Sequence, residues 1–506
     1  MDGLACLEAR QLMYNRSESM LERLTLDASS DTPLYRQLSE AIEREIQAGE
    51  MKPGDRLPAT RLLANQLQLN RTTVSAAYAL LEEQRLILSH VGRGSFVAAP
   101  TAKLDGLDWE DLLPRVVSGL PPSTHSPISF STSRPSDDLF PMEQFRQAAR
   151  EVIDSADARD ILQLGSPLGY GPLRRYLSDE ASREGVLRPG DDLIITNGCQ
   201  QALDLLARLL FTKGESVIVE DPVYPGLLRV FEGAGANIIP VPVTEKGVDP
   251  AALQTLVSRH QPKAIVLTPS FQNPTGSSIP GPQRTRMVEI VREYGVVLIE
   301  NDIYSELRYD GQPEQSLKRA DRTGNVVLLR SYSKVSFPGL RVGWVMAPKP
   351  LVARLAELKQ TSDLHSDQLS QAVLLRFAQS GGLARHIEQT RAAGALRLEA
   401  ALRACRQYLP PGSKFTHPEG GINLWVQLPF PLNAGTLLPA VQSKGVSYLP
   451  GTYFSADHTH GDSLRLSFGG LSPSDVDEGI RIIGEVASAE LAALAQNRFE
   501  PVTALV

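Results

Sequence analysis

From Ile128 to about Glu490 the chain repeats short apolar runs, among them DLIITNG, SVIVED, AIVLTP, VVLIEND and NVVLLRSYSK, with helical stretches between them. A parallel strand needs a long crossover to return the chain, so this alternation predicts an α/β domain around a largely parallel sheet. In such a sheet the ligand site lies beyond the carboxyl ends of the strands. The polar residues that follow each run are therefore the ones that bear on function.

A chain of 506 residues is too long for one hydrophobic core, so at least one further domain is expected. Its composition, 42% hydrophobic and 22% charged, is that of an ordinary globular protein. The first residues, MDGLACLEARQLMYNRSESM, contain no continuous apolar core of a leader, and no apolar run is long enough to cross a bilayer, so a cytoplasmic protein is expected. Cys6, Cys199 and Cys405 are odd in number and far apart, which predicts small buried thiols in a reducing compartment. No paired ligand spacing points to a metal site.

The formal net charge of −7 gives no overall electrostatic attraction for phosphate, but its distribution is uneven. Residues 31–98 carry eight basic and eight acidic side chains, yet no acidic residue lies between Arg56 and Ala79 or between Gln84 and Val97. Leu34, Leu38, Ile42 and Ile46 recur at a four-residue step and predict a helix that ends at Gly49. Thr60 is placed to cap a short helix through RLLANQLQL, and Asn70 to cap a second, RTTVSAAYALLEEQ, with Val74, Ala77 and Leu81 inward. Two short helices joined tightly form a helix-turn-helix, whose second helix presents Arg71, Thr72, Thr73 and Ser75 at its polar start. LILSHVGRGSFVAA then reads as two strands around a glycine turn, a wing with Arg93 at its tip.

LPATRLLANQLQLNRTTVSAAYALLEEQRLILSHVGRGSFVA resembles the GntR-type winged helix-turn-helix. The resemblance implies that Arg61, Arg71, Thr72, Thr73 and Gly92 touch double-stranded DNA, with Arg93 beside them on the wing. Ser75 stands where some relatives use another arginine, so base preference does not carry over. Residues 31–98 are thus read as the DNA-binding domain, and 99–127, with Pro114, Pro121, Pro122 and Pro127, as a linker.

In the domain at 128–490, Lys334 ends an apolar run and is framed by Ser331, Ser333, Pro338, Gly339 and Arg341. A partly desolvated lysine amine condenses with an aldehyde cofactor, and hydroxyls with an arginine hold a phosphate. In TNGCQQALDLLARLL, Gly198, Cys199 and Gln200 fall where a strand gives way to a helix, whose N-terminal N–H groups suit a phosphate.

SYSKVSFPGLRVGW resembles the lysine motif of fold-type I pyridoxal-phosphate enzymes, the aminotransferase class. The resemblance implies pyridoxal 5'-phosphate as cofactor, an internal aldimine at Lys334, and phosphate contacts from Gly198, Cys199, Gln200, Ser331, Ser333 and Arg341. It further implies that Tyr224 stacks on the pyridine ring, Asn273 bonds its phenolic oxygen, Tyr304 helps hold the ring, and Arg465 clamps a substrate or effector carboxylate.

Two positions depart from that pattern. Many aminotransferases place an aspartate three residues before the tyrosine to pair with the pyridinium nitrogen; here Asn301 has that spacing from Tyr304, with Asp302 beside it. Strand alternation keeps both side chains from one position, and either Asn301 or Asp302 faces the nitrogen. Leu164 sits where a phosphate-contacting tyrosine of a partner subunit is often found. Both departures weaken transamination and leave binding intact.

A winged helix joined to an aminotransferase-like domain resembles the MocR subfamily of GntR regulators. The resemblance implies a head-to-tail homodimer that senses pyridoxal phosphate or an amino compound and controls nearby metabolic genes. The alternative is a catalytically active class I/II aminotransferase carrying a DNA-binding domain.

Overall fold

The structure, a computed structural model, describes residues 26–27, 30, 32–90, 94–98 and 126–497. The chain divides into two compact units between Val117 and Ser118. That point falls within 99–125, so most of the expected linker lies outside the described residues.

The smaller unit contains α1 (Leu34–Gln47), α2 (Thr60–Gln66) and α3 (Arg71–Glu83). Leu38, Ile42, Leu63, Val74, Ala77 and Leu81 are fully buried and share one core with Leu57, Ile87 and Val97. The Asn70 side chain caps α3 as expected, its Oδ1 accepting the Thr72 N–H at 3.1 Å. Thr60, by contrast, is the first residue of α2 and not its cap. The Ala59 carbonyl receives the Leu62 and Leu63 N–H groups, so the helix starts one residue earlier than the sequence suggests. The buried Tyr78 hydroxyl donates to the Pro58 carbonyl at 2.8 Å and ties α3 to the approach into α2. Strands β1 (Ile87–His90) and β2 (Gly94–Val97) pair antiparallel from Ile87–Val97 to His90–Gly94. Arg56 bridges to Phe96 alongside them.

The larger unit is built on eight strands: β4 (Asp191–Asn197), β5 (Ser216–Asp221), β6 (Asn237–Thr244), β7 (Gly247–Val248), β8 (Ala264–Leu267), β9 (Val297–Asn301), β10 (Val326–Ser331) and β11 (Val342–Pro348). Their order is β4-β11-β10-β9-β8-β5-β6-β7. Strands β10, β9, β8, β5 and β6 are parallel, while β11 runs antiparallel to both β10 and β4. All five runs singled out in the sequence are strands of this sheet, and their carboxyl ends lie along one edge. Val217, Val219, Val266 and Ile299 face the helices Gly198–Leu210 and Pro225–Gly233, whereas Ile218, Ile265, Leu267 and Leu298 face Pro250–His260 and Gly281–Tyr294. This period-two division buries both faces, as parallel sheets require.

A second, four-stranded sheet is formed by β12 (Lys414–Phe415), β13 (Asn423–Gln427), β16 (Ser463–Ser467) and β15 (Leu449–Pro450), in that order. The helices Gly382–Tyr408 and Pro473–Asn497 cover it, the latter running past Glu490. A short parallel pair joins β3 (Ile128–Ser129) to β14 (Val446–Ser447). Among the described residues no helix is long and apolar enough to cross a membrane.

Glu220 near the end of β5 is buried and accepts the Thr268 N–H at 3.1 Å, with the Gln272 amide at 3.4 Å. It thereby braces the loop that follows β8. Burial pushes its carboxyl from 4.5 up to about 8. The folded protein keeps this proton to about pH 8 while the unfolded chain releases it above 4.5, so the fold weakens as pH rises between those values. Glu220→Gln, which keeps the shape of the protonated carboxyl, is expected to raise the thermal midpoint at pH 9 and leave that at pH 5 nearly unchanged. Equal midpoints at pH 9 would show that ionising Glu220 costs the fold nothing.

Candidate functional site

At the carboxyl edge of the eight-stranded sheet lies a cavity of about 320 Å³. It is lined by Cys199, Gln200, Tyr224, Asn273, Asn301, Tyr304, Ser331, Ser333, Lys334, Arg341 and Arg465, which the sequence had scattered over 267 positions (199 to 465, inclusive). Strand order is what gathers them. Cys199, Gln200, Asn301, Ser331, Ser333 and Lys334 sit at a strand end or on the first turn after it, Arg341 immediately precedes β11, and Arg465 comes from β16 of a second sheet.

Gly198 opens the helix after β4 with φ +74°, a backbone conformation that suits glycine. A Cβ there would meet Arg341 Nη2 at 2.5 Å, so the missing side chain is the space the guanidinium occupies. Arg341 is itself left-handed at φ 55° and donates to the Asn197 carbonyl at 3.2 Å. Facing it, the Ser331 hydroxyl lies 2.8 Å from the Ser333 hydroxyl and accepts the Ser333 N–H at 3.1 Å. A helix N-terminus, two hydroxyls and a guanidinium thus converge in a cradle suited to a phosphate. Burial pushes the Cys199 thiol up to about 12, so it brings no charge to this cradle.

Strand alternation decides between Asn301, which ends β9, and Asp302, which follows it. Ile299 packs toward the helix Gly198–Leu210, and Asn301, two residues on, shares that face and lines the cavity. Asp302 does not line it. Its carboxylate turns to the opposite side, where Arg330 Nε lies 3.1 Å away, and Arg330 also reaches Glu184 at 2.7 Å. Of the two alternatives, Asn301 or Asp302, the Asp302 one is corrected on this ground. Asn301 Oδ1 is buried without a hydrogen-bond partner.

Arg465, on β16, is 3% exposed and donates to Asn273 Oδ1 at 3.3 Å and to the Ser131 carbonyl. Its guanidinium stands 5.2 Å from the Phe454 ring centroid, and its Nε is buried without a partner. Desolvation lowers it to about 10. Lys334 Nζ donates to the Ser133 carbonyl at 2.5 Å and lies 5.9 Å from the centroid of Tyr304, whose hydroxyl is 3.4 Å from Ser133 Oγ. Ser131, Thr132, Ser133 and Thr268 complete the polar lining. They were not singled out in the sequence, where STS after Ile128–Phe130 has no motif to mark it. Leu164 is 73% exposed and lies away from this lining.

Among the described residues the lining includes three cationic side chains, Lys334, Arg341 and Arg465, and no carboxylate. Such a site favours ligands with at least two anionic groups, one at the cradle and one at Arg465.

On the smaller unit, Arg71 and Thr72 are exposed at the start of α3, with Thr73 half-buried, and Arg61 is exposed on α2. Gly92 and Arg93 lie outside the described residues. Arg56 adds a cation that the sequence supplied only as part of a count. Its guanidinium sits 3.0 Å from where a Cβ of Gly94 would be, at the base of the wing.

Residues 126–483 match the family model described as aminotransferase class I and II, and residues 34–97 match that of bacterial regulatory proteins, gntR family. The chain is 30% identical to the uncharacterized HTH-type transcriptional regulator YdfD of Bacillus subtilis, over 89% of this chain and 96% of that one. It is 28% identical to the probable rhizopine catabolism regulatory protein MocR of Rhizobium meliloti, over 90% and 94% of the two chains. The larger unit is similar to the solved structure of LysN, an alpha-aminoadipate aminotransferase from Thermus thermophilus complexed with N-(5'-phosphopyridoxyl)-L-leucine. The TM-score is 0.71 and identity 31%, covering 76% of this chain and all of that one. The chain therefore belongs to the aminotransferase class I and II family, and it carries that domain behind a gntR-family DNA-binding domain, as MocR-type regulators do.

Proposed function

We propose that this protein is a cytoplasmic transcriptional regulator that holds pyridoxal 5'-phosphate at Lys334 and changes its hold on DNA when a small amino compound enters the cavity. The cradle of Gly198, Ser331, Ser333 and Arg341 fits the phosphate, Tyr224 flanks the space for the ring, and Asn273 and Tyr304 border it. The unpartnered Asn301 Oδ1 fits a polar atom at the far end of that ring. When bound, the cofactor supplies an aldehyde able to condense with a primary amine. Arg465 receives the carboxylate of the amino compound, and only a ligand with different affinity for two conformations can alter DNA binding.

The observation that carries the regulator reading over the catalytic one is the pair Asn301 and Asp302. An amide has no charge with which to hold a proton on the ring nitrogen, and the neighbouring carboxylate is already committed to Arg330. Electron withdrawal at the ring is then weak, while binding through Lys334, Arg341 and Arg465 is intact. Lys334, Asn273, Tyr224 and Arg465 all line one cavity, which favours some residual turnover. Leu162 and Leu164, 65% and 73% exposed, are the large apolar side chains we assign to a contact with a second copy in a head-to-tail dimer.

Three outcomes are expected. Borohydride reduction of the cofactor-loaded protein leaves a pyridoxyl label on Lys334, and Lys334→Ala abolishes both the label and the visible band. The winged unit stays folded because its core is its own. A band that persists in the variant would remove Lys334 from this role. Asn301→Asp is expected to speed single-turnover amino transfer with L-glutamate about tenfold or more, roughly 1.4 kcal/mol of barrier; an unchanged rate would show that the ring nitrogen does not limit turnover. Arg71→Ala is expected to weaken binding to DNA selected from a random duplex pool by about 1–3 kcal/mol, as loss of a bidentate base contact does. Unaltered affinity would place Arg71 outside the interface.

A further inference from the structure

Two of the three cations of the cavity end on the backbone of one short segment. The Ser131 carbonyl accepts from Arg465 Nη2, and the Ser133 carbonyl accepts from Lys334 Nζ. Upstream, this segment is fastened at the buried Phe130 and by the hydroxyls around it. Phe130 is fully buried, its N–H on the Ser447 carbonyl at 2.8 Å and its carbonyl accepting the Ser467 N–H at 3.1 Å. The hydroxyls of Ser129, Ser447 and Ser131 form a row at 3.0 and 3.2 Å. Beyond Phe130, β3 is only two residues long and pairs with β14 alone. It begins just after the stretch 99–125 that connects the larger unit to the DNA-binding one.

A carbonyl is a neutral acceptor, whereas a carboxylate forms charge-assisted, bidentate bonds to a guanidinium that are roughly twice as strong. Arg465 offers the second donor for such a fork, because its buried Nε has no partner. A ligand carboxylate therefore outcompetes the Ser131 carbonyl. A cofactor held at Lys334 would take that donor from the Ser133 carbonyl before any effector arrived, so in the loaded protein Arg465 is the cation that holds the segment. The ligand carboxylate then removes the remaining cation, and the Ser131 carbonyl must turn toward a new partner, with only the hydroxyl contacts of Ser131 to Ser447 and of Ser133 to Tyr304 left on these side chains. The nearest structure able to yield is the two-residue pairing of β3.

We propose that Ser131–Ser133 is the segment through which the cavity signals to the DNA-binding unit: a carboxylate at Arg465 evicts it, and its release loosens β3 from β14 at the entrance to stretch 99–125. This inference rests on the regulator reading given above. It assigns the signal to the carboxylate of the effector, and not to the cofactor or the amine.

The test uses the full-length protein and two probes, N-(5'-phosphopyridoxyl)-L-leucine and the same compound without its carboxylate, N-(5'-phosphopyridoxyl)-3-methylbutylamine. Binding is read from the pyridoxyl absorbance, segment release from amide hydrogen exchange of residues 128–134, and output from affinity for DNA selected from a random duplex pool. The leucine compound is expected to speed exchange about tenfold or more and to change DNA affinity about fivefold or more, while the amine compound binds and changes either by less than about twofold. Two glycines inserted between Ser126 and Pro127 are expected to preserve the exchange response and abolish the DNA response. Both probes bound with equal or no effect on exchange would overturn this inference alone, as would a DNA response that survives the insertion. Absence of bound pyridoxyl absorbance with either probe would overturn the cofactor reading beneath it.

Discussion

Side chains on a strand alternate between two faces, and at the carboxyl end of β9 in the eight-stranded sheet that alternation decides which polar groups enter the cavity and which brace the fold behind it. Ile299 and Asn301 fall on the face of the helix Gly198–Leu210, and Glu300 and Asp302 on the other. One face becomes a cavity with three cations and no acid among its lining residues. The other becomes a bracing layer in which Glu300 accepts the Leu317 and Lys318 N–H groups at 2.8 Å and Asp302 is held by Arg330. A shift of one residue in the register of β9 would exchange these roles and put a carboxylate into the cavity.

The same edge explains how so many cations are kept close together. Arg341 is accommodated because Gly198 has no side chain, and it bonds to a carbonyl at the end of β4. Arg465 is sunk among Phe454, Asn273 and the Ser131 carbonyl, and that burial lowers its affinity for protons. Neutral oxygens compensate these charges only in part. The cavity is thus electrostatically incomplete in a way that anionic ligands complete.

Much of this was legible in the chain itself. The four-residue step of α1, the Asn70 cap and the inward Val74, Ala77 and Leu81 appear as read, because short-range periodicity and capping are local properties. The strand runs and the polar residues after them also fell into place, since a parallel sheet leaves few positions for a site. What escaped was set by tertiary context. Whether Asn301 or Asp302 entered the cavity depended on which face of β9 the neighbouring helices covered. Ser131–Ser133 carry their contribution in backbone carbonyls, which no side-chain pattern encodes. Thr60 missed its capping position because the Ala59 carbonyl already served the first turn of the helix.

Cys199 adds a property of a different kind. Burial pushes its thiol up to about 12, so Cys199 stands in the cavity wall as a neutral thiol at pH 7. The wall of the cavity therefore places a neutral thiol directly beside its cations, and their charge is left for an anionic ligand to balance.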